Sequence, residues 1–425
     1  MSSSTSPTPP WTLSTLQWLN PRRLRAQAIV LALCLWGVCA VDFATPGLFD
    51  RAGNIKFQDF LPFYISARLI SQHRANELYY QKSQQDELRK IVPQSNRAVI
   101  PNLYGPQVGL LFVPLAALWF PVAAGIWVAL SLIISFVCVH ALWRRCPTLT
   151  SHTEIVALAA VAFPPLFHVF VRGQISALIL ACFTIAFLAF HSGRPWLAGI
   201  ALGFLIFKPQ FLVALPLVLL LAGAWKPFIG LVLSAAGQLA LTRIYFGASV
   251  MRDYFEMLLH PSRWIGAAEL GLAPIQMHSL RSFWSLIIPS PEVALGLYVL
   301  TSVAVVAMAA SIWKSQSPLA LRFSTLILAA VLVNPHLFVY DLLALVPALL
   351  LPVDWALAHE NDPSSSTLKL LLYLAFVLPL FGPVSRWTHL QLSVPVFAAI
   401  LWIVWRARTS ARPSECDSGP SWSTP

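Results

Sequence analysis

Asp59 is the acid whose surroundings best suit chemistry. It lies in the segment 54–68, which follows the first apolar run and is rich in aromatic side chains. Gln58 precedes the acid, and Tyr64 and Arg68 follow at about one- and two-turn spacing, so a helix here would bring carboxylate, phenol and guanidinium near one face. A carboxylate in this setting could accept a proton from a substrate hydroxyl.

The same segment also fits a purely structural role. A helix lying along a membrane surface, with Asp59 near its N-terminal end, would place the carboxylate where the helix dipole favours negative charge. The rest of the chain must decide between these two interpretations.

Composition places the chain in a membrane. Of 425 residues, 57% are apolar and only 11% are charged, and the mean hydropathy is +0.70. A soluble protein could not cover its surface with so few charges, so we expect an all-α polytopic membrane protein. Short links between the apolar runs predict one membrane domain over residues 26–406, flanked by disordered cytoplasmic tails at 1–25 and 407–425.

Charge and cysteine usage argue against several other classes. The net charge is +11, but Lys and Arg cluster at the ends of apolar runs, which indicates membrane topology rather than a nucleic-acid partner. Six cysteines are scattered singly without a CxxC pair, so we expect no disulfide framework, no metal site and no cofactor.

The first apolar run, at about 26–43, is long enough to span a membrane. Three arginines precede it, namely Arg22, Arg23 and Arg25. The positive-inside rule then puts the N-terminus in the cytoplasm and Asp59 outside. A cleaved signal peptide is the alternative, but an uncleaved anchor is favoured because another membrane domain follows.

The polar stretch at about 45–106 is predicted to be an outer loop that contains a helix near 80–92. The next apolar segment, 104–119, is short and contains two prolines, so we expect it to dip into the membrane or lie along it without crossing. The run 121–143 then becomes the second span, which places the two arginines that follow it inside.

Carrying this alternation forward predicts about twelve spans with both termini inside. The later apolar runs lie near 154–171, 175–190, 196–207 with 211–223, 228–246, 293–313, 319–333, 337–353, 368–381 and 390–405. A second outer loop, at about 247–291, separates the run 228–246 from the run 293–313.

Polar residues interrupt the apolar runs at three points on the predicted outer side. The interruptions are Arg172-Gly173-Gln174, Lys208-Pro209-Gln210 and Asn334-Pro335-His336. Polar groups at such depth usually mark function, and Arg172, Lys208 and His336 could together bind a phosphate. Asp341 could orient the His336 ring or be a buried polar partner. Singly, each residue also fits a role as a snorkelling side chain, an interfacial anchor or a helix cap.

Short motifs run through the chain in a set order. They are Asp59-Phe60 with Tyr64 and Ala67, Leu78-Tyr79, Tyr104-Gly105-Pro106, Pro114-Leu115-Ala116, Pro164-Pro165 before Gly173-Gln174, Gly199 through Lys208-Pro209, and Asn334-Pro335-His336 before Tyr340-Asp341. This order resembles glycosyltransferase family 87, the polyprenyl-phosphate-mannose-dependent mannosyltransferases of GT-C architecture, from the first span to about residue 350. The chain departs from the family at Gly105, where proline is usual.

The resemblance implies a membrane transferase that moves a hexose, such as mannose, from a polyprenyl-phosphate donor to a lipid or glycan acceptor on the extracytoplasmic face of the cell membrane. Asp59 would match the catalytic aspartate and act as general base in an inverting transfer. Arg172, Lys208 and His336 would bind the donor phosphate. The supporting residues would be Gln58, Tyr64, Arg68, Gln174, Gln210 and Asp341.

Two alternatives stay open. A polyprenyl-linked glycan ligase would share the donor chemistry and differ in its acceptor. A lipid or sugar transporter or flippase would also use broken helices and midplane charges, but it predicts inverted repeats, which we do not find in the sequence.

Overall fold

The structure, a computed structural model, describes residues 20–94, 102–260 and 274–407. These residues are mostly helical, and their β-pairing is limited to two isolated bridges, Phe49 with Ile55 and Met277 with Phe338. Nearly all of the two predicted tails lies outside the described residues.

Most of the described helices follow one another with short links. In chain order they are α1 Pro21–Phe43, α2 Leu61–Ser71, α3 Gln81–Ile91, α4 Pro106–Phe112, α5 Phe120–Trp143, α6 Thr153–Val161, α7 Pro164–Arg172, α8 Ser176–His191, α9 Pro195–Gly203, α10 Leu215–Leu221, α11 Trp225–Leu259, α12 Leu280–Ile287, α13 Pro291–Lys314, α14 Leu319–Leu332, α15 Leu345–Ala358, α16 Pro363–Val377, α17 Ser385–Thr388 and α18 Ser393–Ala407. Tight 3-10 turns occupy Gln58–Phe60, Ala75–Glu77, Val113–Leu115, Thr148–His152, Phe204–Phe207, Pro209–Leu212, Val339–Ala344 and Leu378–Val384.

Six helical stretches in the described residues are long and apolar enough to cross a membrane. They are Pro21–Phe43, Phe120–Trp143, Trp225–Leu259, Pro291–Lys314, Val339–Ala358 and Pro363–Thr388. A seventh is reached if the pair Thr148–Val161 and Pro164–Arg172, bent by 44°, counts as one span. The expected twelve spans are therefore not confirmed.

The difference comes from this bent pair and from five of the six shorter apolar helices of 10–17 residues, because the sixth, Pro106–Leu115, is not among the expected spans. Such helices rise by about 15–26 Å, less than the ~30 Å of a bilayer's hydrocarbon core. Several of them pack inside the bundle, as α14 does, where most side chains are buried. Apolar composition alone cannot distinguish such an interior helix from a span, because both avoid water.

The first span begins earlier than expected. Pro21 starts α1, and the side chain of Asn20 caps it by accepting a hydrogen bond from Arg23 N at 3.0 Å. Proline in the first turn and asparagine at the N-cap are both favourable helix starts, so the helix includes the arginines that precede the apolar run. The apolar segment 104–119 forms only the short helix α4 and a 3-10 turn.

Two contacts show that α1 and the bent pair α6–α7 run side by side in the same direction. Arg25 near the start of α1 pairs with Glu154 near the start of α6 at 2.7 Å, and Trp36 Nε1 donates to Val161 O at 3.0 Å. Because α1 has 23 residues, its other end lies about 34 Å away. We name the two ends of the bundle the Arg25 end and the Asp59 end.

A close helix crossing fixes the segment that leads to Lys208. A Cβ added at Gly199 of α9 would lie 2.2 Å from Pro227 O of α11, and one at Gly203 would lie 2.4 Å from Leu231 O. Only glycine permits this approach of two backbones, which is a common way to pack helices in membranes. The chain beyond Gly203 is thereby held against α11 before it breaks.

Candidate active site

Asp59 lies in a 3-10 turn just before α2, not inside the helix. Phe57 ahead of it has a left-handed backbone, with φ 56° and ψ 36°, and Leu61 starts α2 with Pro62 in its first turn. Proline fits the first helical turn because it has no N–H to satisfy there. Asp59 therefore precedes the continuing helix, and its side chain is 13% exposed.

Two side chains from the end of α7 contact the Asp59 carboxylate. Gln174 Nε2 donates to Asp59 Oδ2 at 3.1 Å, and Arg172 Nη1 lies 3.9 Å from Asp59 Oδ1. Burial raises the pKa of Asp59 above its ordinary value, although Arg172, the Gln174 hydrogen bond and Lys208 act in the opposite direction. A carboxylate with a raised pKa is a stronger base than an ordinary one.

Gly173 brings these two segments together. It ends α7 in a left-handed conformation with φ 72°, and a Cβ at this position would lie 2.9 Å from Phe60 Cβ and 3.3 Å from Phe57 Cβ. A side chain would therefore push the turn at Asp59 away from α7. Trp127 Nε1 donates to Gly173 O at 3.2 Å, which holds the junction in place.

Lys208 lies at the break between two 3-10 turns. Its backbone is extended, with φ −128° and ψ 77°, as the following Pro209 requires. Its Nζ donates to Asp341 Oδ1, and the same oxygen accepts from Ser176 Oγ at 2.7 Å. The two charged side chains are almost fully buried, at 3% and 1% exposed, so they form an interior ion pair.

Tyr104 lies between the Asp59 and Lys208 groups. Its hydroxyl donates to Gln174 Oε1 at 3.2 Å, while its ring lies 5.5 Å from Lys208 Nζ. The ring of Tyr340 contacts the same ammonium group at 5.2 Å. Burial raises the pKa of Tyr104 to about 12, so its hydroxyl keeps its proton at neutral pH and remains a donor.

His336 is half-buried in the turn after α14. Its backbone N donates to Asn334 Oδ1 at 2.9 Å, and its ring packs edge-on against Phe338 at 4.8 Å. Burial lowers the pKa of His336 to about 4, so the ring is neutral at neutral pH. The hydrogen bonds that Asp341 makes go to Lys208 and Ser176, so the expected role of Asp341 in orienting His336 stays a prediction.

The other expected site residues have different surroundings. Tyr64 is buried and donates to Leu118 O, and Arg68 pairs with Glu87 of α3 at 3.1 Å, so both connect α2 to neighbouring segments rather than to Asp59. Gln58 and Gln210 are half-buried and make no side-chain hydrogen bond to another described residue.

Three residues in the cluster were not among the expected site residues. In the sequence, Tyr104 and Tyr340 appear only as parts of the family motifs, and no sequence pattern distinguishes Ser176. A lone serine at a helix start is too common to single out, because serine is favoured near helix N-termini in general. Only the fold reveals that it contacts Asp341.

The cluster offers two kinds of chemistry. Asp59 is a partly exposed carboxylate that can take a proton, and Arg172 is a cation with 39% of its side chain exposed that can bind an anion. In the residues that the structure describes, no group of three His, Cys, Asp or Glu side chains could hold a metal ion. Asp59 and Arg172 provide a base and a cation from the chain itself.

One family model matches the chain in the comparison with known proteins. The model of glycosyltransferase family 87 matches residues 102–335, more than half of the 425 residues. The match includes Arg172, Gln174 and Lys208, whereas Asp59 precedes it and Asp341 follows it. No curated protein and no solved structure matches the chain. With its multiple apolar helices, the chain belongs to glycosyltransferase family 87 and is a membrane glycosyltransferase.

Proposed function

We propose that the protein transfers a hexose, mannose in the first instance, from a polyprenyl-phosphate donor to a lipid or glycan acceptor. The observation that carries this proposal is the contact of Asp59 with Gln174 and Arg172 at the Asp59 end of the bundle. One partly exposed carboxylate there has an amide donor on one oxygen and a guanidinium near the other. A base and an anion-binding cation thus lie side by side.

Asp59 is the general base in this reaction. The acceptor hydroxyl gives its proton to an Asp59 oxygen while its own oxygen attacks the anomeric carbon of the sugar. The bond from that carbon to the donor phosphate breaks, and the polyprenyl phosphate leaves with the electron pair. The raised pKa of Asp59 supports this role because it brings the carboxylate closer to the pKa that suits proton transfer near neutral pH.

Arg172 is the main contact for the donor phosphate. Its guanidinium is the more exposed of the two cations, whereas the charge of Lys208 is already balanced by Asp341. Lys208, buried beside Asp341, adds positive electrostatic potential to the site. His336 is neutral, so it contributes a hydrogen bond rather than a charge. These groups stabilise the phosphate as it gains negative charge on leaving.

Transfer with inversion fits this arrangement better than retention. Retention through a covalent intermediate requires a second carboxylate that can reach the sugar. Asp341 is the acid nearest in the network, but it is 1% exposed and bonded to both Lys208 and Ser176. Asp59 therefore acts without a second nucleophile.

We propose further that the Asp59 end faces the extracytoplasmic side of the cell membrane. The start of α1 carries several arginines, and the positive-inside rule puts that end in the cytoplasm. Arg25 and Glu154 lie together at the same end, so the bent pair α6–α7 has the same orientation as α1. The donor would then enter from the outer leaflet.

The test supplies membranes that contain the protein with radiolabelled polyprenyl-phosphate-mannose. We expect label to leave the carrier and appear on a lipid or glycan product, and we expect Asp59→Asn membranes to leave the label on the carrier. Label that crosses the membrane while still attached to its carrier would instead support a flippase. Transfer of a preassembled oligosaccharide, but not of mannose, would support a ligase.

A further inference from the structure

Among the described residues, Tyr104 is a side chain that contacts both halves of the site, the Asp59 group and the Lys208 group. Its hydroxyl donates to Gln174 Oε1 at 3.2 Å, and Gln174 Nε2 in turn donates to Asp59 Oδ2 at 3.1 Å. Its ring face lies 5.5 Å from the Lys208 ammonium. The base and the buried cation are thus joined through a single tyrosine.

The hydroxyl bond decides how the Gln174 amide is oriented. A glutamine amide can turn by half a rotation and exchange its oxygen for its nitrogen. Tyr104 OH and Ile175 N, the latter at 3.3 Å, both donate to Oε1, so Nε2 is directed to the carboxylate. Without the hydroxyl, only the longer backbone bond would favour this orientation.

Tyr104 is itself held firmly in place. Tyr79 OH donates to Tyr104 O at 2.7 Å, Tyr104 N donates to Asn102 Oδ1 at 3.2 Å, and its ring packs edge-on against Phe63 at 4.7 Å. These contacts come from the outer segments that precede α4 and from α2. A side chain fixed from several sides can hold its own partners in position.

We propose that Tyr104 is a positioning residue that sets the orientation of the Gln174 amide toward Asp59 with its hydroxyl and holds the Lys208 ammonium with its ring. This inference rests on the proposed function for Asp59 and assigns it a supporting network. The hydroxyl orients the amide beside the base, and it also lies near the Lys208 ammonium. The ring adds its own contact to that ammonium, so removing the ring as well should add a further effect on the phosphate side.

The effect on Asp59 has a definite sign. The charged and titratable groups around Asp59 are Arg172 from α7, Lys208 from the break after α9, Tyr340 and Asp341 from the turn before α15, and Tyr104 itself. A hydrogen bond from Gln174 stabilises the ionised carboxylate. Tyr104→Phe loosens that bond and leaves the charged groups in place, so the pKa of Asp59 should rise further.

The first variant is therefore Tyr104→Phe, which keeps the ring. We expect the acid limb of the transfer rate to move to higher pH by roughly half a unit to one unit, and kcat at neutral pH to fall about two- to tenfold. The Kd for polyprenyl monophosphate, used as a probe, should change by less than about twofold, because Asp341 and the ring still hold Lys208 when the hydroxyl is gone. The matched control is Tyr373→Phe, which removes a hydroxyl that donates to Gln27 Oε1 at 3.0 Å.

The second variant, Tyr104→Leu, removes the ring as well. Lys208 then loses a cation–π contact, so the Kd for polyprenyl monophosphate should rise about two- to tenfold in addition to the effect on the pH profile. The yield after detergent extraction and the melting temperature show whether each variant folds. If the leucine variant does not fold, Tyr104→Phe, which keeps the packing, decides the test.

A readout that does not need activity separates this proposal from the proposed function. Infrared difference spectra of each protein against its own Asp59→Asn counterpart follow the protonation of that one carboxyl group. A wild-type protein that transfers no sugar would refute the proposed function, while the infrared titration would still test Tyr104. Equal Asp59 titration curves in wild-type and Tyr104→Phe proteins would overturn the positioning role.

Discussion

At the scale of single residues, Asp59 is held in its position at a cost to the folded state. Burial raises its pKa, so the folded protein binds the Asp59 proton more tightly than the unfolded chain does. This tighter proton binding stabilises the folded protein at low pH. The stabilisation is lost as the pH rises through the pKa that Asp59 has in the folded protein. Phe57, with φ 56°, adds backbone strain of about 1–3 kcal/mol nearby.

Asp59→Asn should therefore separate activity from stability. Asparagine keeps the size and can still bond to Gln174, but it cannot take a proton, so transfer should fall roughly a hundredfold to ten-thousandfold. Because the variant no longer buries a charge, its melting temperature at neutral pH should equal or exceed that of the wild-type protein. Sugar transfer and thermal unfolding of the same preparation check both statements, and a variant that transfers at the wild-type rate would remove Asp59 from the mechanism.

Arg172 should contribute mainly to donor binding. Arg172→Ala removes a partly exposed guanidinium, so the donor Kd should rise about tenfold or more, as for the loss of a charge-assisted hydrogen bond. Arg194→Ala is the matched control, since Arg194 is an exposed arginine at the start of α9. Calorimetric titration with polyprenyl monophosphate measures both, and equal affinities in the two variants would make Arg172 an interfacial anchor.

The residue types and their order were enough to single out Asp59, Arg172, Gln174 and Lys208. Their pairing was not predictable, because the hydrogen bond between Gln174 and Asp59 spans 115 positions and that between Lys208 and Asp341 spans 133. Sequence spacing informs only about neighbours on one element. Lys208 was expected to be available for phosphate, whereas the fold gives it a carboxylate partner.

At the scale of elements, the helices α2 and α3 are joined by a buried carboxylate. Glu87 of α3 is fully buried and pairs with Arg68 at 3.1 Å, Arg74 at 3.2 Å and Lys90 at 2.6 Å. Arg68 is therefore used to fasten α2 to α3. The sequence predicted the helix α3 itself within about a residue at each end, because its polar periodicity ends at a proline, but nothing in it paired Glu87 with α2.

The buried pair of Lys208 and Asp341 connects the break after α9 to the turn before α15. Lys208→Met should destabilise the protein by about 3–5 kcal/mol, because it leaves Asp341 charged and buried. The double variant Lys208→Met with Asp341→Leu should recover much of that loss, since no charge is then left unpaired. Denaturant unfolding in detergent gives the free energies for a double-mutant cycle.

The control for this cycle is the pair of Lys369 and Glu360, which has a similar distance of 2.9 Å but an exposed carboxylate. Lys369→Met should cost less than about 1 kcal/mol because water replaces the lost partner. If Lys208→Met lowers the free energy of unfolding no more than Lys369→Met does, the interior ion pair does not stabilise the connection between the break after α9 and the turn before α15.

At the scale of the whole molecule, the contacts divide the bundle into two ends. Arg25 meets Glu154, and Asp354 Oδ1 accepts from Leu149 N at 2.9 Å, so the starts of α1 and α6 share one end with the last turn of α15. Asp59 and Arg172 meet at the other end. Basic residues at helix ends made the order of the helices predictable. The number of membrane spans was not predictable, because interior helices are as apolar as lipid-facing ones.

Reporter fusions test which end faces the cytoplasm. A fusion after Arg145, which follows α5, should be cytoplasmic, and a fusion in the loop near Gln85 should be extracytoplasmic, because α5 and α1 carry their basic clusters at the same end of the bundle. The short helix α4 must then not cross the membrane, since a crossing there would put both fusions on one side. If both reporters lie on the same side of the membrane, the segment from α4 to Leu115 crosses it and the predicted topology is wrong.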